Sequence, residues 1–355
     1  MTGQPLKIAM VAPPWFELPP RGYGGIEAIC ADLIEGLLAT GVEVTLIGIG
    51  TNGTGAQFVG TYATPQADRM GQALPEVIHA AALPTILADL DVDVVHDHAL
   101  AGPLLAPAHQ LPTVVTAHGP LHGEMASYYR HIAGNVALVA ISQAQRRAAP
   151  DLPWAGMVHN AIRVADYPYR ADKEDFALFL GRLSPDKGLP IAIEAAAAAG
   201  LPLVVAAKCR EPAERDYYHR EIAPLLTGEV EWLGEVDGTR KRELLGTARC
   251  LLFPICWEEP FGLVMIEALA CGTPVVALCR GSVPEVITHR ETGLICHEPA
   301  ELPAALHRVD RIDPARCRAE AEDRFDLATM AAGYEQIYRR QCHHRLLTPR
   351  LGRAG

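Results

Sequence analysis

The residues KIAMVA at 7–12, IEAICADLIEGLLAT at 26–40 and EVTLIGI at 43–49 decide the fold. The first and last are short, nearly continuous apolar runs of strand length. Between them, apolar residues fall at 26, 29, 30, 33, 34, 37 and 38, the spacing of one helix face, and Gly41 closes the helix. Strand, helix and strand in this order make a βαβ unit, whose two strands run parallel and are buried on both faces. The alternation continues outward. Strands are expected at 92–95, 113–117 and 136–141, then at 176–180, 203–207, 230–233, 250–254 and 274–278. Helices separate the later set, including 190–199, closed by Gly200, and 261–270, closed by Gly272. A polar stretch at 163–175, with Pro168 and mixed charge, is the expected linker. The fold class is α/β, with two Rossmann-like, doubly wound parallel-sheet domains over 1–165 and 170–325. Apolar spacing within 327–340 predicts a terminal helix over about 326–345.

Composition agrees with that size. The chain has 355 residues, 49% hydrophobic and 21% charged, which suits two sizeable cores. Its 31 basic and 42 acidic residues give a formal charge of −11 without a basic run, so no nucleic-acid partner is expected. The apolar run after Met1 is too short for a signal segment. The longest uncharged stretch, 99–123, is broken by four prolines and three histidines and makes a poor membrane span. The nine cysteines form no CxxC pair. Cys30, Cys250, Cys271, Cys279 and Cys296 sit among apolar neighbours and read as reduced core residues. A cytoplasmic protein without stable membrane insertion is expected.

Parallel sheets bind ligands beyond the carboxyl ends of their strands, so candidate residues can be sorted by strand end. Asp89, Asp91 and Asp93 lead into the strand at 92–95 and fall at its amino end, where a solvated turn is a better reading than a metal site. His96-Asp97-His98 follow that strand, His118-Gly119 follow 113–117, and Ser142 follows 136–141. In the second half Gly181-Arg182, Lys208, Trp257-Glu258-Glu259 and Arg280-Gly281 all follow strands. His96 and His98 could also read as a metal pair, but no third ligand lies nearby and no metal site is expected.

Two segments carry the strongest chemistry. Gly181-Arg182-Leu183-Ser184-Pro185-Asp186-Lys187-Gly188 sets two cations five residues apart between a strand and an Ala-rich helix. A diphosphate needs such cations together with backbone N–H donors. In Glu259-Pro260-Phe261-Gly262-Leu263-Val264-Met265-Ile266-Glu267, Pro260 suits the first turn of a helix and Gly262 lets backbone approach a ligand. Helix amides near 261–263 would then face an anion. Glu267 lies in an apolar surround, where a carboxylate is costly unless it accepts hydrogen bonds. Sugar or ribose hydroxyls would supply them; so would pairing with a buried arginine.

Glu259 and Glu267, with seven residues between them, resemble the E-x7-E motif of retaining glycosyltransferases of the GT-B fold. The string 258–276 is similar to family 4 of these enzymes. So are Gly24-Gly25-Ile26-Glu27, His118-Gly119, His159-Asn160, Gly181-Arg182 with Lys187-Gly188, Gly281-Ser282-Val283-Pro284-Glu285 and Thr292-Gly293-Leu294. The matches run in family order over about residues 7–300. The family usually has Gly-Gly where this chain has Gly281-Ser282.

The resemblance implies two domains facing a central cleft, an acceptor domain first and a donor domain second, with the terminal helix returning to the first. It implies a nucleoside diphosphate sugar as donor partner, uridine diphosphate favoured over guanosine diphosphate mannose, and a hydroxyl-bearing acceptor. No cofactor and no metal are implied. Arg182 and Lys187 would hold the diphosphate, with Gly181 and Lys208 beside them. Glu259 would bind sugar hydroxyls, and Phe261, Gly262 and Leu263 would line sugar and phosphates. Glu267 would take the ribose, and backbone at 234–237, Val236 included, the base. His118 would face the sugar and Gly25 the phosphate or acceptor; Asp97, His98 and Tyr23 would be acceptor-side. A small or soluble acceptor is favoured, because no basic amphipathic stretch marks the first domain. The acceptor would attack on the face the diphosphate leaves, giving retention, and domain closure would keep water out. Other readings fit these residues less well. An epimerase of the same fold or an inactive binding subunit gives no reason for the carboxylates and cations together. A nicotinamide dehydrogenase is disfavoured because Pro13-Pro14 ends the first strand and Gly22-Tyr23-Gly24-Gly25 does not complete G-x-G-x-x-G.

Overall fold

A computed structural model describes residues 5–22 and 24–347. The chain divides into two compact units, residues 1–161 with 327–355, and residues 162–326. In the first unit the strands are β1 (Lys7–Val11), β2 (Glu43–Ile49), β3 (Gln57–Tyr62), β4 (Val94–Asp97), β5 (Thr113–Ala117), β6 (Ala137–Ala140) and β7 (Trp154–Met157). All pairings are parallel, in the order β3-β2-β1-β4-β5-β6-β7. The second unit has β8 (Glu174–Arg182), β9 (Leu203–Lys208), β10 (Val230–Gly234), β11 (Ala248–Phe253), β12 (Val275–Leu278) and β13 (Gly293–Cys296). These are also parallel, in the order β10-β9-β8-β11-β12-β13. Both sheets start centrally, build to one side, and then return to build to the other. The reversal falls between β1 and β4 in one unit and between β8 and β11 in the other. Ligands of doubly wound sheets bind at such reversals. Both units are therefore Rossmann-like.

Burial explains the strands. Ile8, Ala9, Met10 and Val11 of β1 and Val275, Val276 and Ala277 of β12 are all fully enclosed, as strands covered on both faces must be. Three edge strands, β3, β7 and β13, have no counterpart among the expected runs. The strand expected at 92–95 lies two residues later. Asp93 anchors the amino end by exchanging bonds with the backbone of Lys7, and β1 sets the register from Ile8↔Val94 to Val11↔Asp97. His96 and Asp97 are thus inside the strand, not beyond it. Lys7 also pairs with Asp91 at 2.6 Å, consistent with a solvated turn there. The helix expected at 261–270 is Leu263–Ala270, because Gly262 at φ +77° reverses the backbone just before it. Pro260 therefore lies in the preceding loop.

The stretch expected to be a linker is fixed to the second unit. Lys173 Nζ donates to Gly246 O, Cys271 O and Thr273 Oγ1 at 2.8–3.0 Å, and Tyr169 lies against Gly272. The chain enters that unit beside the point where it leaves, with Ile162 N donating to Phe325 O at 3.0 Å. The helix Leu327–Leu347 then belongs to the first unit. It packs on the helix Gly25–Ala39, where Gly36 lets Leu327 and Ala331 come close, and it buries Tyr334, Ile337 and Tyr338. All nine cysteines are free, and of the five singled out above only Cys279 is part-exposed. Among the described residues no helix is long and apolar enough to cross a membrane.

Candidate active site

In the second unit, chemistry collects where β8 and β11 end. Arg182 is the last residue of β8, and Lys187 closes a single turn, Pro185–Lys187, before Gly188 and the helix Leu189–Ala199. Gly188, at φ +73°, sits so close to Pro254 that a Cβ would strike its carbonyl oxygen. Cys256 N donates to Asp186 O at 2.8 Å, so the loop after β8 is fastened to the loop after β11. This contact brings Lys187 to Glu259. Lys187 Nζ donates to Glu259 Oε2 at 2.6 Å and lies 5.3 Å from the centre of the Trp257 ring, while Trp257 Nε1 donates to the same oxygen at 3.1 Å. Glu259 is 8% exposed. Among the described residues the Arg182 guanidinium has only a long contact, 4.0 Å to Asp186, and its side chain is 40% exposed.

The same loop is held from the other side. Gly281 N donates to Glu258 Oε2 at 2.7 Å and Ser282 N to Glu259 O at 2.9 Å. Ser282 is fully buried and its hydroxyl donates to Phe261 O at 2.7 Å. The hydroxyl that departs from the usual Gly-Gly thus fixes the carbonyl just before the helix Leu263–Ala270. Phe261 is itself 2% exposed, so its ring is closed off from solvent. Lys208, at the end of β9, donates to Glu211 at 2.7 Å and lies 3.7 Å from Glu214. Val236 lies in the loop between β10 and the helix Gly238–Thr247, which Asp237 caps.

Glu267 is 7% exposed, and its Oε1 accepts from Lys241 Nζ at 2.6 Å and from Tyr167 Oη at 2.9 Å. A lysine and a tyrosine satisfy the carboxylate that the sequence marked as costly. Neither partner was legible: Lys241 is 26 residues away and Tyr167 is 100. The sequence shows Trp257 only as following a strand, and Ser282 only as a departure from the usual Gly-Gly.

In the first unit, the residues at the ends of β4 and β5 are more enclosed than expected. Asp97 is 1% exposed. Its Oδ1 accepts from Ala99 N at 2.8 Å, and Gly102 lies against the carboxylate with no room for a Cβ. Burial pushes its pKa well above the usual carboxylate range, and Glu76 adds to the effect. Asp97 therefore supports the turn at 99–102 and is not open to an acceptor. His98 is 5% exposed, with Nδ1 2.8 Å from His118 Nε2 and Nε2 3.1 Å from Met10 Sδ. It too is a supporting residue. His96 is held on both nitrogens, by Tyr338 Oη at 2.7 Å and Thr116 Oγ1 at 2.8 Å, which argues against the metal pair. Among the described residues no group of three His, Cys, Asp or Glu could hold a metal ion.

His118 is part-exposed, and among the described residues its enclosed Nδ1 has no hydrogen-bond partner. Burial holds its pKa at about 4, so the ring is neutral near pH 7. Gln145, which the sequence did not single out, fixes the backbone around it by donating to Ala117 O and Gly119 O at 2.6 and 2.8 Å. Gly25 is exposed at the start of the helix Gly25–Ala39, behind Gly24 at φ +147°. Tyr23 lies outside the described residues.

Comparison with known proteins gives these geometries a family. Residues 168–318 match the model described as Glycosyl transferases group 1, and residues 23–166 match Glycosyltransferase Family 4. Alpha-maltose-1-phosphate synthase of Mycobacterium tuberculosis is 28% identical, over 95% of this chain and 100% of that one. Phosphatidyl-myo-inositol mannosyltransferase of Mycobacterium leprae is 25% identical, over 94% and 96%. The crystal structure of AviGT4, a glycosyltransferase involved in Avilamycin A biosynthesis, is 28% identical and superposes with a TM-score of 0.72 over 96% of this chain and 98% of that one. With one model matching each half and relatives that align along nearly the whole chain, the protein belongs to the family 4 glycosyltransferases and is a transferase enzyme.

Proposed function

We propose that the enzyme moves a sugar from a nucleoside diphosphate sugar to an acceptor hydroxyl with retention of configuration. The observation that carries this is the convergence of Arg182, Lys187, Trp257 and Glu259 beside the start of the helix Leu263–Ala270, at the reversal of a doubly wound sheet. Arg182 and Lys187 hold the diphosphate, with Gly181 and Lys208 at its margin and the amides of Gly262 and Leu263 as donors. Phe261 lines the sugar and phosphates with its backbone. Glu259 binds sugar hydroxyls, Glu267 binds the ribose through a carboxylate already fixed by Lys241 and Tyr167, and backbone at 234–237, including Val236, reads the base. In the first unit, His118 accepts from a sugar hydroxyl and Gly25 offers its backbone to phosphate or acceptor.

Charge sets the mechanism. As the sugar–phosphate bond breaks, negative charge grows on the diphosphate and the sugar becomes oxocarbenium-like. Fixed cations and amide dipoles stabilise the leaving group without reorganising, so neither metal nor cofactor is invoked. The acceptor hydroxyl attacks on the departing face and gives its proton to the leaving phosphate. Glu259 is assigned to the sugar hydroxyls rather than to nucleophilic attack, and Lys187 and Trp257 hold its Oε2 in place for that role.

A panel of nucleotide sugars, scored for released nucleotide and for the anomeric configuration of the product, tests the proposal. Uridine diphosphate sugars are expected to turn over fastest, with retention, and Glu259→Gln to lose about 100-fold in kcat/KM or more. An epimerised nucleotide sugar without transfer, an inverted product, or unchanged activity in Glu259→Gln would overturn it.

A further inference from the structure

We propose that His98 and Met10 act as positioning residues that lock His118 in the tautomer with its proton on Nε2. Its Nδ1 is then a bare acceptor under a closed cover: a hydroxyl that displaces the cover donates there, and a group without a proton does not. The inference rests on the reading that His118 meets the donor sugar. Three contacts decide the protons. Met10 is fully buried in β1, and a thioether sulfur can only accept; with His98 Nε2 3.1 Å from Met10 Sδ, the Nε2 proton points at sulfur. His98 is neutral, because burial drives its basicity well below the ordinary value and the neighbouring imidazoles drive it further. With one proton already on Nε2, its Nδ1 is bare. That nitrogen lies 2.8 Å from His118 Nε2, which must therefore donate. Neutral His118 has no second proton, and its enclosed, partnerless Nδ1 carries a lone pair. The opposite assignment sets the His98 Nε2 lone pair against sulfur and leaves a buried N–H on His118 Nδ1 unsatisfied, so it loses at both ends.

Long-range ¹⁵N–¹H correlation on the intact protein reads the tautomer directly, without substrate. A protonated Nε2 and bare Nδ1 on His118 are expected. In His98→Asn the amide oxygen replaces Nδ1 as acceptor, so the lock and the donor KM should stay within about twofold of wild type. His98→Gln places its amide near Nε2 instead, so the tautomers should mix and kcat/KM fall about 5- to 10-fold, the loss of one neutral hydrogen bond. Met10→Leu removes the sulfur and should mix the tautomers likewise. A proton on His118 Nδ1 in the wild type, or equal behaviour of the Asn and Gln variants, overturns the proposal. A locked spectrum with wild-type turnover in His118→Ala supports the lock and overturns only the donor contact.

Discussion

Glu259 is satisfied through a single oxygen, by a lysine 72 residues away and by the indole two residues before it. Deleting Lys187 leaves a nearly buried carboxylate with, among the described residues, Trp257 as its side-chain donor, and it also removes one of two cations at the loop. Lys187→Ala should lower kcat/KM by about 100-fold or more, while urea melts shift by only about 1–3 kcal/mol. Equal falls in activity and folded fraction would make the pair purely structural. Glu27 offers a test with a sign. It is 3% exposed in the first turn of the helix Gly25–Ala39, and burial, aided by Glu76, raises its pKa from 4.5 to about 7. The folded chain thus binds more protons than the unfolded chain between those values. The stability held by the neutral carboxyl is complete below the lower value and is lost as pH rises through the upper one. His79 and His118, both lowered from 6.5 to about 4, act in the opposite sense: their stability is present above the upper value and lost as pH falls through the lower. Glu27→Gln removes the first effect alone. Its stability relative to wild type should improve by on the order of 2 kcal/mol between about pH 5 and pH 8, measured by denaturant unfolding. At this scale the sequence marked Glu267 as needing partners, because an ionised group in an apolar run cannot stay bare. It did not name Lys241 or Tyr167, since pairings across such separations arise only when strands are placed side by side.

Elements were more legible than partners, and their errors have a common cause. The central strands β1, β2, β5 and β9 are covered on both faces and read directly as apolar runs. Missed strands β3, β7 and β13 sit at sheet edges, where one neighbour suffices. Every residue of QFVGTY in β3 is exposed or half-buried, so no continuous apolar signal was needed or present. The two-residue displacement of β4 has a different origin: its window is set by pairing to β1, and this draws His96 and Asp97 into the core. Packing of the terminal helix gives an element-scale prediction. At Gly36 a Cβ would lie 3.0 Å from Leu327 O and 3.1 Å from the Ala331 methyl. Gly36→Leu must push the helices Gly25–Ala39 and Leu327–Leu347 apart, with a cost of about 1–3 kcal/mol or more from overpacking. Buried Tyr334 and Tyr338 would loosen with it, and with them the bonds to Thr116 and His96. Limited proteolysis should cut this variant between residues 327 and 347 faster than wild type; an unchanged pattern would show that the contact tolerates a side chain.

Across the whole molecule, parallel strands give each unit two unlike ends. Amino ends carry paired surface charge, such as Lys7 with Asp91, whereas carboxyl ends carry Arg182, Lys187, Lys208 and the loop of Glu259. This polarity reconciles a formal charge of −11 with an anionic donor: a local field needs only a few cations at one rim, whatever the total. It also predicts where a ligand will be felt. Hydrogen exchange with saturating uridine diphosphate should slow in peptides spanning 181–188 and 258–267, where binding stabilises the closed backbone. The turn at 89–93, which belongs to the first unit, and the edge strand β13, which β12 separates from β11, should exchange as before. Arg182→Ala should weaken that protection by raising the nucleotide Kd about tenfold, the loss of one charge-assisted contact to phosphate. Protection spread evenly over both units would mean that the nucleotide acts through global stability. Protection centred on β13 would move the donor site to another face of the second sheet.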